Sequence, residues 1–346
     1  MSLFQPEKIK GKRFVVVGDF MLDHYRFMKP KRLSPEAPVV IFAQVGEEYR
    51  LGGAGNVANN LAALGGSVDF FSIVGSDWNQ YAEQIEMPFK AHVVCPDQWK
   101  PVTVKERILT RRQQVARIDR QVVRPISGLE VGHIMHHATE PIRACDALVM
   151  SDYDHGMMVG ELAVRMISFA RSLGKKIIVD SKAPDSIRKY KGATIIVPNL
   201  DEAMLISGKK FLSVQDMASG LVERMGLEAI GITMGPDGIF LYHDGQGELI
   251  PAHLRDENEV ADVTGAGDTV LASLSAALAC GENYRDAIMF ANESAANVVR
   301  KVGVATVDLA QLKSERSQTS TTQRLKTAGL ATTEPKFGSI GAKTEG

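Results

Sequence analysis

Five short apolar runs, each closing on a polar residue, constrain this chain more than any other feature of its sequence. They are Arg13-Phe14-Val15-Val16-Val17-Gly18-Asp19, Ala147 to Tyr153, Lys176 to Lys182, Thr194 to Asn199 and Ala229 to Thr233. Continuous runs of this length read as strands buried on both faces, the habit of parallel sheets. Gly160 to Leu173 carries helical periodicity between two of them. The alternation predicts a doubly wound, mainly parallel α/β sheet with helices on both faces. At 346 residues the chain can bury a sizeable core, as one large α/β domain or as two small ones. Ligands of such sheets collect beyond the carboxyl ends of the strands, so the polar residues there are expected to share one edge.

Asp262-Val263-Thr264-Gly265-Ala266-Gly267-Asp268-Thr269 precedes an Ala- and Leu-rich run, Val270 to Ala279, that reads as a buried helix. Small residues at Gly265, Ala266 and Gly267 let backbone N–H groups converge, and a helix N-terminus adds its dipole. The combination is an anion hole suited to phosphate. Asp268 stands inside it. A carboxylate there repels phosphate unless it has a proton to take, which suggests a general base activating a hydroxyl. An N-cap aspartate without chemistry is the alternative. No Gly-Lys-Ser/Thr follows, so this is not a Walker loop.

A second Gly-rich turn, Leu51-Gly52-Gly53-Ala54-Gly55-Asn56, opens an Ala/Leu-rich stretch ending at Gly65. It is a candidate for close backbone approach to a ligand, or for tight helix packing. Asp19 and Asp23 follow the first apolar run and are placed either for a ligand or as turn-capping aspartates. Period-two alternation at 38–49 and 103–122 predicts an antiparallel flap packed on the main sheet, with a plain edge hairpin as the alternative. Asn199 and Glu202 have the spacing of a helix cap and its capping-box partner.

Lys+Arg 40 against Asp+Glu 41 leaves no whole-chain charge directed at nucleic acid or an anionic membrane. Cys95, Cys145 and Cys280 lack paired spacing, as expected of free thiols in a reducing cytosol rather than disulfides or a metal site. Met1 to Lys12 is polar, without the apolar core of a signal peptide, and no apolar stretch is long enough to cross a bilayer. A soluble cytoplasmic protein is expected, with its folded domain over 1–312. Beyond about Leu312 the chain turns rich in Ser, Thr, Gly and Lys, and 313–346 is expected to be a disordered tail.

Asp262 to Thr269 resembles the C-terminal signature of the ribokinase (PfkB) family of carbohydrate kinases, and the resemblance extends over nearly everything before the tail. It implies an ATP-dependent kinase using Mg²⁺, with Asp268 as base and Gly265, Ala266 and Gly267 as anion hole. Asp23 matches the family's sugar-binding aspartate, while Asp19 stands where ribokinases carry a small residue. Gly52, Gly53 and Asn56 fall on the N-terminal Gly-Gly signature and would touch sugar hydroxyls. Asn199 and Glu202 would help hold Mg²⁺ through water and position the triphosphate; Thr233, Gly235 and Gly238 would contact the ATP phosphates. A helix pattern from Ala291 to Val304 resembles the part lining the adenine pocket. Backbone carbonyls near Asp262, Thr264 and Gly303 would form a monovalent-cation site for K⁺. The flap would be a lid over the sugar and the contact of a homodimer.

Gly18 to Tyr25, Leu33 to Val40 and Leu51 to Ala58 most resemble the heptose-7-phosphate kinases of lipopolysaccharide inner-core synthesis. That implies D-glycero-β-D-manno-heptose 7-phosphate as acceptor, phosphorylated by ATP at O-1 to the 1,7-bisphosphate. A phosphorylated acceptor needs a cationic subsite far from the reacting hydroxyl. Arg107, Arg111, Arg112 and Arg117 on the lid and Lys182 at a strand end are available, with Arg107 and Lys182 the expected pair. Solvated lid arginines are the plainer account of any one of them. Another sugar, sugar-phosphate or nucleoside kinase of this fold, or a non-catalytic sugar and nucleotide sensor, are the competing functions.

Overall fold

The run after Arg13 is buried on both faces, as a central strand must be, and its valines suit an extended backbone. In the computed structural model, which describes residues 4–95, 101–111, 113–208, 213–253 and 259–317, it forms β1 (Arg13–Gly18). There follow β2 (Phe20–Leu33), β3 (Val40–Gly53), α1 (Ala54–Ala63), β4 (Ser67–Ile73), β5 (Lys90–Val94), β6 (Val104–Thr110) and β7 (Gln113–Arg120). The middle of the chain gives α2 (Gly128–Ala144), β8 (Ala147–Asp152), α3 (Leu162–Ser172), β9 (Lys176–Ser181), β10 (Ile195–Ile196), α4 (Leu200–Ser207) and α5 (Val214–Met225). The remainder is β11 (Ala229–Thr233), β12 (Ile239–His243), β13 (Gln246–Ile250), α6 (Ala266–Ala279) and α7 (Tyr284–Val298).

A nine-stranded sheet runs in the order β13-β12-β11-β10-β9-β8-β1-β4-β5. Its pairs from β11 through β5 are parallel, and β12 turns antiparallel at one edge. The five apolar runs are therefore neighbours, and their polar ends lie along one edge as doubly wound topology requires. One face carries a core of Val15, Val17, Met150, Val179, Met166 and Ile230, all essentially buried. Truncating such a side chain to Ala costs about 2–5 kcal/mol. Of the run Thr194 to Asn199, Ile195 and Ile196 pair as a strand; Pro198 has no N–H to donate, and Asn199, which caps α4, adds one further parallel bridge to Thr233.

A separate four-stranded sheet has the order β3-β2-β6-β7. The antiparallel flap expected from sequence needs correcting here. β2 pairs antiparallel with β3 and β6 with β7, but β2 and β6 run parallel, since Leu22 N donates to Thr103 O and starts the two strands side by side. The segment bearing Asp23 is thus a strand of this sheet.

Two helix bounds also differ. α6 begins inside the glycine loop at Ala266, with Gly265 (φ +79°) as N-cap. α7 ends at Val298; Gly303 adopts φ +76° and Val304 N donates to the Tyr25 hydroxyl at 2.8 Å, so 301–304 leaves the helix. Residues 1–308 form one compact unit and Leu309 onward another, in which 309–317 are helical, past the boundary expected at Leu312. The expected tail from 318 on, and Arg112, lie outside the described residues. Among the described residues no helix is long and apolar enough to cross a membrane.

Candidate active site

α1 (Ala54–Ala63) is built of small residues and Asn, which lets it lie close to α6. At that approach Asn56 Nδ2 donates to Asp268 Oδ2 at 2.9 Å, and Asn60 Nδ2 steadies Asn56 through its Oδ1 at 3.0 Å. A side chain at Gly265 would strike Asn56 Nδ2 at 2.8 Å, so the glycine both tolerates the positive φ and makes room for the pair. Asp268 is a first-turn residue of α6, whose N-cap is Gly265; the cap alternative therefore does not hold. Burial pushes its carboxyl up to about 7, against the hydrogen bonds from Asn56 and Tyr153 that favour the ionised form. A group titrating there suits general-base work near neutrality.

Tyr153 is the partner that sequence reasoning missed. Its hydroxyl donates to Asp268 Oδ1 at 2.8 Å, and it follows β8 in an unremarkable Ser-Asp-Tyr. Asp19 explains how the tyrosine is held. Its Oδ2 accepts from Tyr153 N at 2.8 Å and His155 N at 3.2 Å, and its Oδ1 from Met157 N at 3.1 Å. Asp19, expected from sequence to meet a ligand, thus fastens the 153–157 loop. Burial and the neighbouring Asp152 charge push its carboxyl up to about 6.

On the lid sheet, Asp23 and Arg107 form a buried ion pair. Both were expected to face the acceptor, one at its hydroxyls and one at its phosphate; the structure binds them to each other. Burial still raises the Asp23 carboxyl, with Arg107 opposing. Gly52 permits the arrangement, because a Cβ there would lie 2.4 Å from Asp23 Oδ2. Arg117 pairs with Asp119. Lys105, next along β6, has no carboxylate within ion-pair distance among the described residues. Its ammonium lies 5.2 Å from the centre of the Tyr153 ring, and burial lowers its pKa. Arg111 is exposed at the β6–β7 turn with φ +54°.

Lys182 does not sit with the lid cations. Its Nζ lies 3.2 Å from Glu202 Oε1 and 3.6 Å from Asp180 Oδ2, beside Asp268. Burial works against its charge, but Asp180 and Glu202 hold its pKa above the ordinary lysine value. Glu202 shares in a capping box, with Asn199 N donating to its Oε2 and its own N–H donating to Asn199 Oδ1, each at 2.8 Å. The capping reading of Asn199 and Glu202 is thus real, and Oε1 is still directed at Lys182. Asp180, which the sequence reading placed at a strand end without giving it a role, is a second addition to the site. It is buried, its Oδ1 has no hydrogen-bond partner among the described residues, and burial pushes its carboxyl up to about 6. A Cβ on Gly267 would stand 4.0 Å from its Oδ2, which places a hard-oxygen donor against the expected anion hole.

Thr233, Gly235 and Gly238 border a cavity of about 400 Å³ that is also lined by Val260, Val270 and Val299 and by Ala266 and Gly267 at the start of α6. An apolar slot opening onto a helix N-terminus fits a purine base with its phosphates at the dipole. Beyond it, Asp262 Oδ1 accepts from Thr264 N at 2.9 Å and Thr264 Oγ1 at 2.7 Å, and its Oδ2 from Gly303 N at 2.9 Å. Arg50 of β3 (Val40–Gly53) reaches the same loop, its Nη1 donating to Val302 O at 3.0 Å and Val304 O at 2.8 Å.

The pfkB family carbohydrate kinase profile matches residues 12–311. The chain is 40% identical over 309 residues to the bifunctional protein HldE of Desulfatibacillum aliphaticivorans, across 88% of this chain and 63% of that one. It is 37% identical over 302 residues to the bifunctional protein HldE of Helicobacter hepaticus, across 86% and 62%. The chain spans about three-fifths of the length of these relatives. Among solved structures, the tetrameric inhibited form of phosphofructokinase-2 from Escherichia coli matches with TM-score 0.69 at 16% identity, covering 89% of this chain and 99% of that one. Arabidopsis thaliana ribokinase complexed with ribose and ATP matches with TM-score 0.63 at 17% identity, covering 88% and 98%. At such identities the structural likeness speaks for the fold.

Proposed function

The chain belongs to the pfkB family of carbohydrate kinases, and from that premise we propose that it uses ATP to phosphorylate O-1 of D-glycero-β-D-manno-heptose 7-phosphate. The single observation that carries a kinase mechanism is Asp268, buried at the start of α6 between Asn56 and Tyr153 and poised near neutrality. A sensor would have no use for such a group.

In the proposed reaction the acceptor's O-1 proton passes to Asp268 as the oxygen attacks the γ-phosphorus. The bond from that phosphorus to the β–γ bridging oxygen breaks and ADP departs. The N–H groups of Gly267 and Asp268, which lack intrahelical partners in the first turn, receive the transferring phosphoryl together with Gly265, while Ala266 N, already donating to Val263 O at 3.2 Å, shapes the loop around them. Thr233, Gly235 and Gly238 line the nucleotide cleft. Lys182 lies on the nucleotide side and is assigned to the γ-phosphate rather than to the acceptor. Asp180 and Glu202 would hold Mg²⁺, as oxygen donors of the kind it prefers, and its charge would offset that of the nucleotide phosphates. Asp262 already accepts three hydrogen bonds, so a K⁺ beside it and Thr264 would draw on backbone carbonyls.

Asp23, Gly52, Gly53 and Asn56 are the proposed contacts to acceptor hydroxyls, with Asp19 acting through the loop it fastens. Lys105, which has no ion-pair carboxylate among the described residues and whose ammonium lies 5.2 Å from the centre of the Tyr153 ring, is assigned to the acceptor phosphate in place of Arg107. Exposed Leu33, Val45, Val115 and Ile118 on the lid sheet support a homodimer through it. A cytoplasmic location completes the reading.

Turnover against heptose 7-phosphate, unphosphorylated heptose, ribose and fructose 6-phosphate tests the acceptor. The heptose 7-phosphate should be used best, and Lys105→Met should raise KM for it far more than KM for ATP. Equal kcat/KM with and without the 7-phosphate would leave only "sugar kinase".

A further inference from the structure

Tyr153 belongs to no signature motif, yet it meets Asp268, Asp19, Lys105 and Lys182 at once. Its hydroxyl donates to Asp268 Oδ1 at 2.8 Å. Its ring lies beneath two ammonium groups, Lys105 of the lid at 5.2 Å and Lys182 of the nucleotide side at 6.0 Å. Its own N–H is held by Asp19 at 2.8 Å, so the side chain is placed from the end of β1 (Arg13–Gly18) rather than by a loose loop.

Burial and the charges of Asp268 and Asp180 hold the phenol well above its ordinary pKa, so it stays a protonated donor across the working range. A donor of this kind stabilises a carboxylate and does little for a carboxylic acid. The groups facing Asp268 come from three places: Asn56 from α1, Tyr153 after β8, and Asp180 of β9 (Lys176–Ser181) with Lys182 just after that strand. Asn56 and Tyr153 each take one oxygen, and each oxygen keeps a second lone pair for the acceptor hydroxyl.

We infer that Tyr153 is a positioning residue for the general base: its hydroxyl orients Asp268 as an ionised acceptor, and its ring ties that carboxylate to the lid ammonium of Lys105. The inference rests on Asp268 being the base, as proposed above. It adds a residue that links lid to chemistry without touching either substrate.

Tyr153→Phe tests it, since the ring and its two cations are kept and only the hydroxyl is lost. The acid limb of the kcat–pH profile should move up by about one unit. Activity at pH 6.5 should then fall about tenfold while activity at pH 9 stays within about threefold, with KM for ATP unchanged. A loss uniform across pH, or an unmoved acid limb, would overturn the assignment. Carboxylate ¹³C NMR of Asp268, identified by its disappearance in Asp268→Asn, gives a readout that needs no turnover. There the Asp268 titration should shift up in Tyr153→Phe and also in Tyr153→Leu, and an identical titration in either counts against the inference. If no acceptor is phosphorylated by the wild type, the kinase reading fails while the NMR arm still decides the role of Tyr153.

Discussion

Asn56 and Asp268 stand 212 positions apart in sequence and meet at 2.9 Å, amide to carboxylate. The contact joins the two Gly-bearing turns of the chain across the packing of α1 (Ala54–Ala63) on α6 (Ala266–Ala279). In the proposed reaction acceptor recognition and proton transfer would share this one hydrogen bond, and loosening either helix would disturb both.

Asp268→Asn should lower turnover by about 10²–10⁴-fold, the usual weight of a general base. ATP affinity should stay within about twofold, measured by calorimetry. Because the wild-type carboxyl is pushed up to about 7, it must lose its proton to work, so kcat/KM should fall as the pH drops below about 7.

Gly52→Ala places a methyl where Asp23 Oδ2 now lies, 2.4 Å from the ideal Cβ. The carboxylate must move, and the Arg107 pair moves with it. Steady-state kinetics should show a rise in KM for the acceptor with KM for ATP little changed. Equal effects on both would mean that Asp23 does not serve the acceptor.

Arg107→Met strands the Asp23 carboxylate in a buried position, a change that typically costs about 3–5 kcal/mol. The double change Arg107→Met with Asp23→Asn removes the orphaned charge and should recover part of that loss. Urea denaturation of both variants measures the recovery, and a double variant no more stable than Arg107→Met contradicts the buried pair.

Burial pushes the carboxyls of Asp19 and Asp180 up to about 6, and that of Asp268 to about 7, from the ordinary aspartate value of 3.8. Between about pH 4 and 7 the folded chain binds more protons at these sites than the unfolded chain. Their contribution to stability therefore falls as pH rises through that window, and the penalty is complete above it. Asp180→Asn removes one such site. Its stability relative to wild type should improve by up to about 3 kcal/mol at pH 8, a figure that already includes the attraction to Lys182, and the gap should close towards pH 4. Thermal unfolding at four pH values reads the trend.

Much of this was legible in the sequence because it depends on local composition. Apolar runs closing on Asp19, Tyr153, Lys182 and Thr233 placed β1, β8, β9 and β11 correctly, and small residues at 265–267 and 52–55 marked the two turns that approach each other. What stayed hidden depends on distant partners. Arg107 looked like a free lid cation because nothing local shows that Asp23, 84 positions away, takes it. Lys182 looked like a distal phosphate ligand because its neighbour Glu202 belongs to a later helix. Tyr153 gave no signal at all, since a tyrosine after a strand is ordinary until Asp268 lies beside it.

The fastening of Arg50 to the carbonyls of Val302 and Val304 has a mechanical consequence. It moors the inner end of β3 (Val40–Gly53) to the last loop of the main body, while the outer ends of β2 and β3 stand exposed. Any swing of the lid must then pivot near Arg50, with small travel at Asp23 and large travel at the tip. A hinge so close to the Asp262–Gly303 contact would let whatever tightens that loop also set how stiffly the cover sits.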